Sequence, residues 1–239
     1  MFSILKKEFN SFFASPIAYL VIGIFLLING LFLWIFKDEF NILNAGFADL
    51  NSFFYLSPWV FLFLIPAITM KSFADEYNNG TIEILKTRPI SDWQIVFGKF
   101  FASLLLVIVA LIPTLIYVFS VYKLGNPIGN LDFGSTIGSY LGLLFLAATY
   151  TSIGLFTSTL SKNQIVAFIV AVFITFILFY GFDAISNSFD NQSFTIKKFG
   201  INEHFKSISR GVIDTRDLIY FVSVTVFFLF ITKQKLSHE

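Results

Sequence analysis

The sequence predicts an all-α integral membrane protein with six transmembrane helices, and two observations carry that expectation. Of 239 residues, 56% are hydrophobic and only 13% are charged, with a mean hydropathy of +0.78, more apolar material than a water-soluble domain of this size needs. Six stretches are apolar and nearly uncharged over lengths that cross a hydrocarbon core of about 30 Å as helices, whereas a β-barrel would show alternating segments of about ten residues. The net charge of +1 gives no basic field for nucleic acid, and the absence of cysteine excludes disulfides and thiolate metal sites.

The elements follow in order. Phe2, Leu5, Phe9, Phe12 and Phe13 recur at helical spacing around Lys6, Lys7, Glu8 and Asn10, which predicts an interfacial amphipathic helix over residues 1–15. Ser15-Pro16 ends it, because proline disfavours helix at the residue before it and suits the first turn of the helix that follows. The first span, Ile17 to Phe36, is too long for a signal-peptide core and lacks a small-residue cleavage site, so it is expected to remain as an anchor. Five more spans are expected near Phe53 to Met70, Ile95 to Val121, Gly138 to Leu160, Ile165 to Phe182 and Leu218 to Thr232, and one transmembrane domain, 1–239, fills the chain.

Six spans put both termini on one side. Basic residues retained near span ends assign that side to the cytoplasm, with nine inside (Lys6, Lys7, Lys71, Lys86, Arg88, Lys99, Lys162, Lys233, Lys235) against seven outside. Five of the outer seven lie in the loop at 183–216, which is longer than a connector requires. Within it Ile201, Phe205, Ile208 and Val212 predict a second amphipathic helix dipping into the outer leaflet, ended or kinked by Gly211. Asp214 is expected to cap the last span, with Asp217 in its first turn.

The spans carry no Asp, Glu, His or Arg at mid-depth, where ion-coupled transporters and proton pumps place them. Lys99 is expected to snorkel from the start of the third span to the interface, and Asn29 to serve as packing glue in the first. Gly134, Gly138 and Gly142 recur every fourth residue into the fourth span and continue toward Gly154; such a face permits close helix packing within the chain, a dimer interface, or the wall of a translocation path. Pro58, Pro66 and Pro113 are expected to bend spans. No catalytic residue, cofactor or metal is expected: His204 and His238 are the only histidines, and neither H-E-x-x-H, G-x-S-x-G nor a phosphate-binding G-x-x-x-x-G-K-[ST] loop occurs. Asp183, at a span end, is the one feature that speaks for an intramembrane enzyme.

Between the second and third spans lies FADEYNNGTIEILKTRPIS, Phe73 to Ser91, within a polar segment at 73–92. Asn78-Asn79-Gly80 is turn chemistry, Thr81 is a candidate N-cap, and Glu83 complements the positive end of the helix dipole. Ile82, Ile84 and Leu85 give the new helix an apolar side, Lys86 and Arg88 place positive charge at its C-terminal end, and Pro89 stops it. Ser91 and Gln94 form a capping box that launches the third span through Trp93. About 20 ordered polar residues exceed what a hairpin between spans needs and point either to a docking surface or to a well-made interfacial turn.

Glu76, Gly80-Thr81, Glu83, Leu85, Pro89 and Gly98-Lys99 reproduce the spacing E-x-x-x-G-T-x-E-x-L-x-x-x-P followed nine residues later by G-K, and in this the chain resembles the type-2 ABC exporter permeases. The resemblance extends to the order of elements, and EHFKSISRGVIDTRDLIYF, Glu203 to Phe221, is similar to permeases of the gliding-motility type. It implies that Thr81 to Arg88 is a coupling helix docking on a separate ATPase subunit, present in two copies. It further implies that the permease pairs with a second permease, identical or different, in a bacterial inner membrane, with room for an accessory periplasmic-facing subunit. In that reading Gly80 allows the entry turn, Glu83 contacts the ATPase and Leu85 anchors in a groove. The alternative is a non-transporting scaffold that uses the same ATPase coupling to drive periplasmic machinery.

Overall fold

Proline 16 decides where the first span begins. In the computed structural model, which describes residues 1–44, 46–87, 89–187 and 197–238, helix α1 (Phe2–Ala14) ends at Ser15, whose backbone is extended, and α2 (Pro16–Gly30) starts on the proline. Helices make up 80% of the structure, and no strand occurs among the described residues. Six helical segments are long and apolar enough to cross a membrane: Pro16–Ile35, Asn51–Asn78, Asp92–Leu124, Phe133–Ser158, Gln164–Ser186 and Thr215–Ser237. The protein is an all-α, multi-pass membrane protein, with both termini on one side of the bundle, here called the terminal side.

Several spans are composite. Span one continues from α2 into a π-helical turn, Leu31–Ile35. Span two comprises α3 (Asn51–Thr69), with Pro58 and Pro66 inside it, and α4 (Lys71–Asn78), a polar extension on the terminal side. A short helix, α5 (Thr81–Lys86), follows. Span three is α6 (Asp92–Leu111) and α7 (Leu115–Leu124), separated by a 3-10 turn at Ile112–Thr114 where Pro113 supplies no N–H for the α-helical ladder. Span four is α8 (Phe133–Ser158), and span five runs through α9 (Gln164–Phe176), a second π-helical turn (Ile177–Gly181) and α10 (Phe182–Asn187). Then come α11 (Ile201–Ser209) and α12 (Thr215–His238).

The capping box is formed: Gln94 N donates to Ser91 Oγ at 3.3 Å and Ser91 N to Gln94 Oε1 at 3.4 Å. Ser91→Ala removes an acceptor for one orphan N–H and is expected to cost about 1 kcal/mol, visible as a lowered thermal unfolding midpoint of the purified protein. At the other end, Asp214 Oδ1 accepts from Arg216 N at 2.9 Å and caps α12.

Spans two and four form the buried centre, while spans one, five and six expose most of their surface. Lipid tails are as apolar as leucine, so helices associate in a membrane through close packing and interhelical hydrogen bonds rather than through hydrophobic burial. α8 is built for this. A Cβ on Gly138 would stand 2.6 Å from the Ile208 carbonyl oxygen, one on Gly142 would stand 3.1 Å from the Phe205 ring, and one on Gly154 would overlap Thr69. Gly134 approaches Gly211, where a Cβ would lie 2.8 Å from the Gly134 carbonyl carbon. The glycine face is therefore filled by this chain's own α11 and α3.

The hydroxyls of α8 mostly turn back on the helix itself: Ser152 donates to the Thr149 carbonyl at 2.7 Å, Thr157 to Gly154 at 3.0 Å and Ser158 to Leu155 at 2.7 Å. Ser135 reaches across to the Ser209 carbonyl at 2.8 Å, and Thr149 to Thr225 at 3.1 Å. Asn29 is fully buried; it donates to the Phe25 carbonyl at 2.8 Å and accepts from Ser57 at 3.5 Å, which joins spans one and two.

Both amphipathic helices pack on the bundle. In α1, Ile4 and Phe12 are buried and the helix runs along α6. In α11, expected to dip into the outer leaflet, Ile201, Phe205 and Ile208 are buried, with Phe205 and Ile208 against α8, whereas Val212 is 71% exposed because Gly211, at φ +85°, turns the chain before the apolar face can continue. The stretch 188–196 of the 183–216 loop lies outside the described residues.

Candidate functional site

The segment from Lys71 to Ser91 folds as a helical extension, a left-handed turn and a short helix. α4 ends at Asn78, and Gly80 takes φ +66°, a conformation that costs a residue with a Cβ about 1–2 kcal/mol. Gly80 itself occupies the N-cap position, so Thr81 is not the cap: its hydroxyl points back and donates to the Glu76 carbonyl at 3.4 Å, clasping α5 to α4. Glu83 lies in the first turn of α5 and Lys86 in its last, as the helix dipole favours.

α5 is anchored from beneath. Ile82 is buried and Leu85 half-buried in a second hydrophobic cluster with Phe73, Ile95, Val96 and Leu236, while Thr81, Glu83 and Pro89 remain exposed. The Ile84 side chain and Arg88 lie outside the described residues. A groove of about 530 Å³ runs between Tyr77, Gly80, Glu83 and Lys86 on one side and the turn Thr159–Lys162 on the other, so the connection between spans four and five joins the same surface.

Behind α5 sits an arrangement not expected from the sequence. Lys99 does not snorkel: its side chain is 1% exposed and all three ammonium donors are engaged. It contacts Glu76 Oε1 at 2.9 Å, Glu8 Oε1 at 3.1 Å and the Ser72 carbonyl at 2.7 Å, with its charge 5.0 Å from the Phe73 ring centroid. Lys7 closes the cluster at 3.5 Å from Glu8 and 3.6 Å from Glu76. The carboxylate of Glu76 therefore faces inward, not along the exposed surface of α5.

Gly98, one residue earlier, lets Ile4 approach so closely that an added Cβ would stand 2.8 Å from its side chain. The Gly98-Lys99 pair thus holds α1 twice, by shape and by charge. Asp75 accepts a hydrogen bond from Gln164, the first residue of α9, which ties α4 to span five. The chain ends up with α1, α4, α6 and α9 joined just beneath the exposed turn at Gly80. The hint in the sequence was a lysine near the start of an apolar span. Nothing in residue spacing places position 8 beside position 99.

Comparison with known proteins agrees with this layout. The family described as ABC-2 family transporter protein matches residues 2–209, a stretch that holds α1, the first five spans, the Gly80 turn and α11. No curated protein matches the chain. Proteins of this family are the membrane permease subunits of ABC transporters, not the ATPases, and they work with an ABC ATPase partner in a lipid bilayer. The chain belongs to the ABC-2 family of transporter proteins.

Proposed function

We propose that this permease subunit receives the motion of its ATPase partner through the helix expected from Thr81 to Arg88. The observation that carries this reading is the contrast across α5: Glu83 and Thr81 are exposed beside an open groove, while Ile82 and the Thr81–Glu76 clasp fix the helix to the bundle. A push on such a helix displaces α4, and through Lys99 and Gln164 it displaces α6, α1 and α9 as well. In this reading Gly80 and Pro89 bound the docking helix, Glu83 contacts the ATPase, and Leu85 and Glu76 transmit. The ATPase is present in two copies beneath a pair of permeases, in a bacterial inner membrane with the terminal side in the cytoplasm. In this reading the complex serves gliding, which draws support only from the resemblance of Glu203 to Phe221 to gliding-motility permeases.

The test is co-expression with a candidate ABC ATPase subunit from the same organism. Glu83→Ala is expected to weaken co-purification and lower stimulated ATP hydrolysis about tenfold, the size of one lost charge-assisted contact. Gly80→Pro, which cannot adopt a positive φ, is expected to abolish stimulation. Normal recovery and stimulation in both variants would refute the assignment. Loss of colony spreading on deletion in a gliding bacterium tests the finer claim. The scaffold alternative draws on the lack of charge at mid-depth in the spans, and ATP-dependent movement of a solute in proteoliposomes would exclude it.

A further inference from the structure

On the side of the bundle opposite the termini, the ends of spans two and five and helix α11 enclose a cavity of about 430 Å³ that the coupling reading does not use. Its inner wall is apolar, with Phe54, Phe179 and Phe205 buried, and its flanks carry the more open aromatic side chains of Tyr55, Trp59 and Tyr180. Two backbone irregularities meet there. Pro58 has no N–H, so the carbonyl of Phe54 lacks its helical donor, and the π-helical turn Ile177–Gly181 brings Phe179 and Tyr180 to the cavity together with Asp183. Single π-helical turns inside α-helices are frequent at functional sites.

The charges are ordered by depth. Asp183 is 9% exposed; its Oδ2 accepts from Asn202 at 2.5 Å and lies 3.9 Å from Lys206, while its Oδ1 is buried with no hydrogen-bond partner among the described residues. A carboxylate this buried, with one amide donor and a cation no nearer than 3.9 Å, has its charge only partly compensated. Lys206 stands at the rim with half of its side chain exposed, and Lys197 and Glu203 also line the cavity. Among the described residues two acids and two bases balance, so these side chains do not select by net charge. The site offers a carboxylate among aromatic rings at depth and lysine ammonium groups toward the mouth.

We propose that this cavity binds a zwitterion bearing a primary ammonium and an anionic group, of the phosphoethanolamine kind. The ammonium pairs with the carboxylate of Asp183, whose side chain keeps 12% of its exposure, and lies against the faces of Tyr55, Trp59 and Tyr180, where the ring quadrupole attracts a cation. The anionic group pairs with Lys197 and Lys206. Such a compound arrives either free in water or as the headgroup of a phospholipid whose chains lie in the adjoining leaflet.

Trp59 lines the cavity, and the chain has two other tryptophans, so the W34F/W93F protein reports from Trp59 alone. In nanodiscs of phosphatidylglycerol, which carries no ammonium, titration with phosphoethanolamine is expected to give a saturable change in its fluorescence. Phosphocholine, whose quaternary nitrogen cannot donate, is expected to bind about tenfold more weakly, and Asp183→Asn to lose about tenfold in affinity for phosphoethanolamine, each by loss of one charge-assisted hydrogen bond. Lys206→Gln, at the rim with half of its side chain exposed, is expected to lose about threefold for phosphoethanolamine and nothing for ethanolamine, and it decides the matter if Asp183→Asn does not fold. Nanodiscs containing phosphatidylethanolamine separate the sources: competition with phosphoethanolamine identifies the lipid headgroup, and an unchanged titration identifies the free compound. No saturable signal in wild type, equal binding of phosphocholine, or unchanged affinity in the folded variants would overturn the proposal.

Discussion

Lys99→Ala is expected to destabilise the protein by about 3 kcal/mol, because removing one member of a buried ion cluster leaves its partners charged and uncompensated. Glu8 and Glu76 would lose the ammonium 3.1 Å and 2.9 Å away, and the Ser72 carbonyl would lose its donor. The two carboxylate side chains keep 15% and 13% of their exposure, so water screens part of the penalty, which places it at the lower end of the range for buried pairs. The measurement is the thermal unfolding midpoint in nanodiscs. A triple variant, Lys99→Met with Glu8→Gln and Glu76→Gln, removes the charges together and is expected to recover most of the loss. Because the triple variant folds without the charged linkage between α1, α4 and α6, ATPase stimulation in the complex is expected to stay low while the midpoint returns. A wild-type midpoint for Lys99→Ala would show that the cluster does not hold the helices together.

Gly211→Ala is expected to cost about 2–5 kcal/mol, from two penalties that act at one position. Its φ of +85° is unfavourable for a residue with a Cβ by about 1–2 kcal/mol. That Cβ would also stand 2.8 Å from the carbonyl carbon of Gly134 and the nitrogen of Ser135, backbone atoms that cannot rotate away, an overpacking cost of about 1–3 kcal/mol. Gly138→Ala meets the Ile208 carbonyl oxygen at 2.6 Å and Gly211 Cα at 3.0 Å, so both changes press on the same end of α11. The double variant is therefore expected to lose less than the two singles added, since α11 is already displaced by the first. Gly23→Ala, in a helix with nothing within 4 Å, is the control and is expected to be neutral or slightly stabilising. Full additivity of the first pair would contradict the seating of α11 on α8.

Local chemistry was legible wherever a short stretch of chain contains its own reasons. Ser91 and Gln94 satisfy each other across one turn, Asp214 serves Arg216 two residues on, and Pro16 sets a helix start without outside help. The same holds for the Asn78 to Gly80 turn. Reading went astray where a side chain had a second, distant option. Thr81 has the composition of a cap, yet Gly80 takes that position because the chain must reverse through a positive φ, and the threonine hydroxyl is left to bond Glu76. Lys99 has a stem long enough to reach an interface, but a carboxylate from α1 and another from α4 meet it first.

The six spans, the helices α1 and α11, the turn at Gly80 and the similarity to type-2 ABC exporter permeases follow from the sequence alone, because hydropathy, periodicity and turn chemistry are properties of neighbours along the chain. Only the tertiary structure decided what the glycines of α8 touch, where Lys99 finds its charges, and that Asp183 closes the end of a cavity. Those depend on which helices become neighbours in space, and in a membrane that is settled by close packing and by the need of each buried polar group for a partner, neither of which is written in the order of residues.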